Sequence, residues 1–454
     1  MESKRRDYPW RRSRRRLLLI LFGFAGMVAL ALAALHWKGG TSLETQISAI
    51  RAKGEPVTPA ELAQRFPAPS KENNAAETYV KAGEAMKTVL SDKGYRDQLG
   101  KVNRTPTQER FAAELHQWME KHLEEYADAL RILHEAAKNP ATRYDFDLGR
   151  GFAAPIPNLL QLRGSAQLLQ LEAYVAAEDG DSTRAVEAIL AALAMDRPMR
   201  QAPILIMQMM RQALRGMACT TIKRVLPMAA FSEEQLSRLQ TALADTDDRD
   251  AMTNAFIGER SSGLSAFDRP QVFLPQILQA DNWFPGASSF ASGLVRMSMT
   301  ASGERERYLG YMTDMIDASR LPLPEALDKM ERLGKEAASR RSFIPGLMEY
   351  LIPNLSRSMS QAARGDALML GARAALALER FRLANSHPPA QIVELVPAFL
   401  PAVPLDPFDG QPLRYLSDDH GYTFYSIGEN RKDDGGEDAP EKNLDVVFRV
   451  VYPQ

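Results

Sequence analysis

Histidine, cysteine and paired carboxylates are the side chains that most often carry chemistry, and here each can be weighed against a known reaction. Three of the six histidines, His116, His122 and His134, fall in one helical stretch. His116 and His122 are six apart, which turns them to different helix faces, and no HExxH pattern is completed, so they read as solvated or rim histidines rather than zinc ligands. The lone Cys219 stands at apolar spacing in MACTTIKRVL and reads as a buried structural thiol. Asp145 and Asp147 in Tyr-Asp-Phe-Asp-Leu form a carboxylate pair, but a spacing of two beside a loop is too common to specify a glycosidase acid and base. Gly149-Arg150-Gly151 begins like a dinucleotide loop, yet Ala154 holds the third glycine position and no strand precedes it. Asp245 to Asp250 alternates acids like a calcium loop but lacks its glycine and distal glutamate. With no GxSxG and no phosphate-binding loop, these residues point to a chain that is not an enzyme.

The elements that must position these groups are helices. Thr58 offers an N-cap and Pro59 a first helical residue for AELAQRF. Apolar residues recur every three or four positions from Asn74, and again through Phe111, Leu115, Met119, Leu123, Tyr126, Leu130 and Leu133, which predicts one long helix over 107–138. Ala173, Gly180, Asp181, Ala185, Ala192, Leu193 and Asp196, followed by Pro198, resemble one tetratricopeptide repeat, with Gly180 as C-cap and Asp181 or Ser182 as the next N-cap. Further helices are predicted over 204–225, from Ser232 to Leu243, and over 304–320, 323–339 and 356–385, whereas 258–302 reads as the least helical part of the body.

Leu17 to Trp37 is an apolar run that carries no charge to Leu35, long enough at ~1.5 Å per residue for a ~30 Å hydrocarbon layer. Its length favours an uncleaved signal anchor over a cleaved Sec signal, for which Ala29-Leu30-Ala31 and Ala31-Leu32-Ala33 offer sites, and over twin-arginine export. Eight Lys and Arg against Glu2 and Asp7 precede it, which keeps 1–16 in the cytoplasm and places the bulk outside the cytoplasmic membrane. Of the 56 Lys+Arg and 57 Asp+Glu, 48 and 55 then remain in the body. That acidic balance argues against a nucleic-acid partner.

The last eighty or so residues carry an ordered set: Pro388, Leu395, Val396, Leu400, Val403, Pro404, Asp406, Pro407, Phe408, Gly410, Pro412, Tyr415, Tyr425, Ser426, Gly428, Asp433, Gly435, Gly436 and Asp438. In order and spacing it resembles the globular part of the major pseudopilin of type II secretion. The residues agree: Leu413–Leu416 and Tyr422–Ile427 read as a hairpin, and Val446–Tyr452 as a third strand. The resemblance implies calcium in the acidic loop, with Asp433, Asp434 and Asp438 as metal ligands, and hard carboxylate oxygens in a glycine-rich turn suit that ion. The prepilin cleavage motif of that family is missing, so a docking or cap module is expected in place of a polymerising subunit.

The expected fold class is mainly α: a transmembrane anchor at 17–37, a helical-hairpin body over 41–355, and a small α+β module over 356–454 with a short antiparallel sheet. The whole resembles bacterial membrane-anchored proteins that combine these parts. The expected role is a non-catalytic scaffold that meets the lipid bilayer through 17–37 and an unknown protein partner through its body. A component related to type II secretion or pilus-type machinery is the alternative, and a hydrolase with dispersed catalytic residues a further one. No cofactor beyond calcium is implied.

Overall fold

The computed structural model describes residues 42–70, 74–140, 142–246, 250–267, 303–339, 347–437, 442 and 444–452. The tail 1–16, the expected anchor 17–37 and Asp438 lie outside the described residues, among which no helix is long and apolar enough to cross a membrane.

A first helix, α1, covers residues 42–52. Thr58 caps α2 (Pro59–Arg65) by accepting from the Glu61 amide, with Pro59 opening the helix. Then come α3 (Ala76–Ala85), α4 (Lys87–Ser91) and α5 (Lys93–Arg104). The helix expected over 107–138 is two: α6 (Ala113–Glu125) and α7 (Ala127–Ala137), broken at Tyr126, whose φ of −107° and ψ of 24° are not helical. The break lets α6 pack on α8 while α7 turns to α3 and α9. Periodicity is the same on both sides of it, so the sequence pattern does not register the change of direction.

The predicted hairpin is present as α8 (Leu159–Glu178) and α9 (Ser182–Ala194). Gly180 takes φ +79°, which favours glycine, and the Asp181 side chain accepts from the Arg184 amide as N-cap. Next are α10 (Leu205–Val225) and α11 (Glu233–Asp245), the latter opened by a Ser232–Gln235 capping box. The stretch from Gly258, expected to be least helical, belongs to α12 (Asp250–Ala266) as far as Ala266, and 268–302 lie outside the described residues. Glycine is chosen here for contact: a Cβ at Gly258 would stand 1.8 Å from the Pro203 carbonyl oxygen, and one at Gly263 1.9 Å from the Tyr308 hydroxyl.

Three helices complete the body: α13 (Glu304–Ser319), α14 (Leu323–Ser339) and α15 (Leu347–Asn385). One apolar core gathers α3 to α11; another gathers α12 to α14 with α2. Helix α15 joins them, giving Leu355, Met359 and Ala363 to the second and Ala372, Leu376 and Phe381 to the first. It also runs unbroken across residue 356, so the C-terminal module shares its helix with the body. Beyond it a short 3-10 helix (Ile392–Leu395) leads to β1 (Arg414–Asp418), β2 (Gly421–Ser426) and β3 (Val446–Val451), an antiparallel sheet in the order β1-β2-β3. Phe424 pairs with Phe448 across the strands, and a Cβ at Gly371 of α15 would come within 2.8 Å of Phe448 Cβ. The sheet therefore lies directly on the helix.

Candidate functional site

The acidic loop after β2 is fastened largely from within. The Tyr425 hydroxyl donates to Asp433 Oδ1 at 3.2 Å, as does the Gly435 amide at 3.0 Å, and Asn430 donates to Asp434 Oδ2 at 2.7 Å. Asp445, which the sequence reading passed over, is fully buried and accepts from the amides of Asp434 at 3.3 Å and Gly436 at 2.6 Å. Burial pushes the Asp445 carboxyl up, the two amides oppose that, and the facing carboxylates of Asp434 and Asp433 push it further. Three carboxylates thus crowd one turn, with Arg414 Nε 3.9 Å from Asp433 Oδ2. Among the described residues no group of three or more His, Cys, Asp or Glu is disposed to hold a metal ion, and the remaining expected ligand, Asp438, is not among them.

Asp406, in the Val-Pro-Leu-Asp-Pro segment, is a clamp. Its side chain is wholly buried; Oδ1 accepts from the Phe408 amide at 2.9 Å and Ser426 Oγ at 2.7 Å, while Oδ2 accepts from the Ile427 amide at 2.9 Å and Arg414 Nη1 at 2.7 Å. Other buried carboxylates do likewise. Glu55 joins Arg260 at 2.7 Å and Arg320 at 2.5 Å; burial alone would raise its pKa, and the two guanidiniums outweigh that and lower it. Glu379 accepts from the Tyr422 and Tyr452 hydroxyls at 2.8 and 2.7 Å. Each of these carboxylates ties together elements distant in sequence, which is fold-fastening chemistry.

The sequence candidates fall apart in space. His122 is buried, a correction to its solvated reading: it stacks on Trp118 with ring centroids 5.4 Å apart and packs beside Tyr95 and Tyr126, and burial lowers its pKa. The helix face it shares with Met119 and Leu123 is the cause. His134 bonds Glu172 at 2.7 Å, and His116 lies 3.2 Å from Asp179. Cys219 is fully buried, and burial pushes its thiol up to about 12, consistent with a structural role. Asp145 and Asp147 are exposed.

Two open features stand out among the described residues. A cavity of about 1240 Å³ lies among α13, α14 and α15 over Tyr311, Leu327, Met330 and Phe408, and its charged rim is partly self-paired, as in Arg307–Glu304 at 3.1 Å and Lys335–Glu331 at 2.6 Å. The other is a groove of about 490 Å³ where α9 packs beside α11, lined by Leu190, Glu233, Arg238, Thr241 and Ala242. Arg197 and Asp245 also line a recess of about 260 Å³ bearing His134, Lys138 and Glu187, and a pocket of about 520 Å³ bearing Arg143 and Arg200. Arg143 comes from a segment far in sequence from Arg197 and Arg200, so no local motif announced the three together. Neither a family model nor a curated protein nor a solved structure matches the chain.

Proposed function

We propose that this chain is a membrane-anchored, extracytoplasmic scaffold without catalytic activity, which docks another protein along the α9–α11 groove. The observation that carries this reading is the groove itself. It and the neighbouring recess share Leu190, Arg197, Arg238, Ala242 and Asp245; together they are lined by small apolar residues, Ala191, Ala194, Leu190 and Ala242, and by both charge signs, Arg197 and Arg238 against Glu187, Glu233 and Asp245. Such a surface suits an extended or helical segment better than a small substrate, which pockets enclose. A photo-crosslinking residue placed at Thr241 in the full-length protein, in its own membrane, tests it. A discrete protein adduct is expected, and no adduct would remove the reading.

A second reading, a component related to type II secretion or pilus-type machinery, is favoured by the order of elements after α15: loop, short 3-10 helix, strand, strand and acidic loop. Truncation is a poor test, because Phe424 and Phe448 belong to the core shared with the body. Leu416 on the edge strand β1 is 50% exposed, so Leu416→Glu leaves the core intact. Loss of assembly in that variant supports the second reading; unchanged assembly opposes it. In either reading a calcium ion at the acidic loop would relieve the mutual repulsion of Asp433, Asp434 and Asp445.

A further inference from the structure

We propose that the pocket over Arg143, Arg197 and Arg200 is a binding site for an oxyanion group, carboxylate or phosphate, whether free or carried on a larger molecule. The backbone sets two of the three arginines in place. Asn74 Nδ2 donates to the Arg143 carbonyl at 2.7 Å and its Oδ1 accepts the Arg143 amide at 3.0 Å, while the Tyr144 amide donates to the Pro198 carbonyl at 3.2 Å. The first two bonds hold Arg143 to Asn74 and the third ties its segment to the short 3-10 helix Arg197–Met199, so Arg143 and Arg197 line one pocket although they are far apart in sequence.

The guanidiniums are then steered chiefly by neutral acceptors. Arg143 donates to Gln201 Oε1 at 3.4 Å and to the Pro67 carbonyl, and Arg197 donates to the Ala137 carbonyl at 2.8 Å. Carbonyl and amide oxygens orient a guanidinium without cancelling its charge. Arg200 reaches Asp196 at 3.3 Å and Asp245 at 3.4 Å, but Asp196 also serves Arg211 and, at 3.4 Å, Arg215. One buried carboxylate is thereby divided among three cations, and Asp245 is 61% exposed at the mouth. Among the described residues around the pocket, positive charge is left in excess.

One buried polar atom at the pocket points the same way: Arg200 Nε has no hydrogen-bond partner among the described residues. Ser70, Asn74, Thr142 and Gln201 add neutral hydrogen-bonding groups around the same space. A guanidinium presents parallel N–H groups that match the two oxygens of a carboxylate or phosphate, and three such forks around about 520 Å³ form a receptor for that shape. The proposal does not depend on the scaffold reading, since it holds for a free anion as well as for a partner's carboxylate.

The test is calorimetric titration of the full-length protein in detergent with inorganic phosphate, with citrate, and with a short peptide bearing a free or an amidated C-terminus. Saturable binding of at least one probe is expected. It should weaken about tenfold or more in Arg143→Gln and in Arg197→Gln, as the loss of a charge-assisted bond requires, and persist in Arg96→Gln, an exposed arginine of α5. Arg143→Lys, which keeps the charge and loses the fork, should fall between, and it replaces Arg143→Gln if that variant melts early. Binding of the free peptide but not the amidated one assigns the oxyanion to a chain terminus; binding of phosphate or citrate alone assigns it to a free anion. No saturable binding of any probe, or equal binding by the wild type and the arginine variants, overturns the proposal.

Discussion

Replacing Asp406 by alanine strips three buried donors of their acceptor at once: the Phe408 and Ile427 amides and the Ser426 hydroxyl. A buried donor left unpaired costs roughly 1–3 kcal/mol, and non-additivity among neighbours brings the total to about 4 kcal/mol. Arg414 adds little to that sum, because its Nη2 keeps Asp409 at 2.6 Å. A loss of that size is a large part of the ~5–15 kcal/mol that holds a typical domain. Asp406→Asn, which retains one acceptor oxygen and the same shape, should lose about half as much, and Ser426→Ala about 1 kcal/mol. The assay is urea unfolding of the full-length protein in detergent, followed by near-ultraviolet circular dichroism, with the double variant closing a cycle. If Asp406→Ala costs less than about 1 kcal/mol, or the cycle shows no coupling between Asp406 and Ser426, the clamp does not hold the hairpin to the 404–413 segment.

Glu259 accepts the Leu205 amide at 3.2 Å, and burial pushes its carboxyl up to about 7, the amide opposing that rise. A raised acid binds its proton more tightly when folded, so stability falls as pH rises from its unfolded value near 4.5 through about 7. Glu259→Gln should therefore match wild type at pH 5 and exceed it at pH 8 by on the order of 2 kcal/mol, read from thermal melts; equal curves at both pH values refute the assignment. Gly258→Ala drives a methyl into the Pro203 carbonyl oxygen and should cost at least about 2 kcal/mol, visible as a fall in Tm; an unchanged Tm would mean α12 and the 203 turn separate freely. For the acidic loop, calcium should raise Tm in wild type and not in Asp433→Ala; no rise in wild type leaves the loop closed by its own hydrogen bonds.

Much of the helical body was legible because local signals and packing agree. Thr58-Pro59, Gly180-Asp181 and Ser232 with Gln235 mark helix ends by hydrogen bonds a sequence can announce, and the structure uses each of them. The three strands were likewise visible, displaced by a residue or two at their ends. What escaped was decided by contacts far away in sequence. Gly258, Ser261, Ser262 and Gly263 look like a loop by propensity, yet they lie within α12, where the two glycines leave the room that Pro203 and Tyr308 occupy against its backbone. His122 looked like a rim residue because histidine usually is one; three aromatic rings bury it. The arginine pocket and Asp445 left no local mark at all, since their meaning lies in which segments meet. The expected ligands Asp433 and Asp434 are engaged in the loop's own hydrogen bonds, and Asp445, which no local pattern marks, supplies the buried carboxylate that caps the Asp434 and Gly436 amides.

The proposed docking of a protein in the α9–α11 groove depends on the charge of the groove's lining. Arg238 is 45% exposed and pairs with Glu187 at 2.7 Å, so Arg238→Glu reverses the wall's charge at small cost to the fold. The decisive measurement is the yield of the Thr241 photo-adduct in wild type, in Arg238→Glu and in Lys93→Glu, an exposed residue on α5. The adduct should disappear in Arg238→Glu and persist in Lys93→Glu. An adduct of equal yield in all three would contradict docking in this groove.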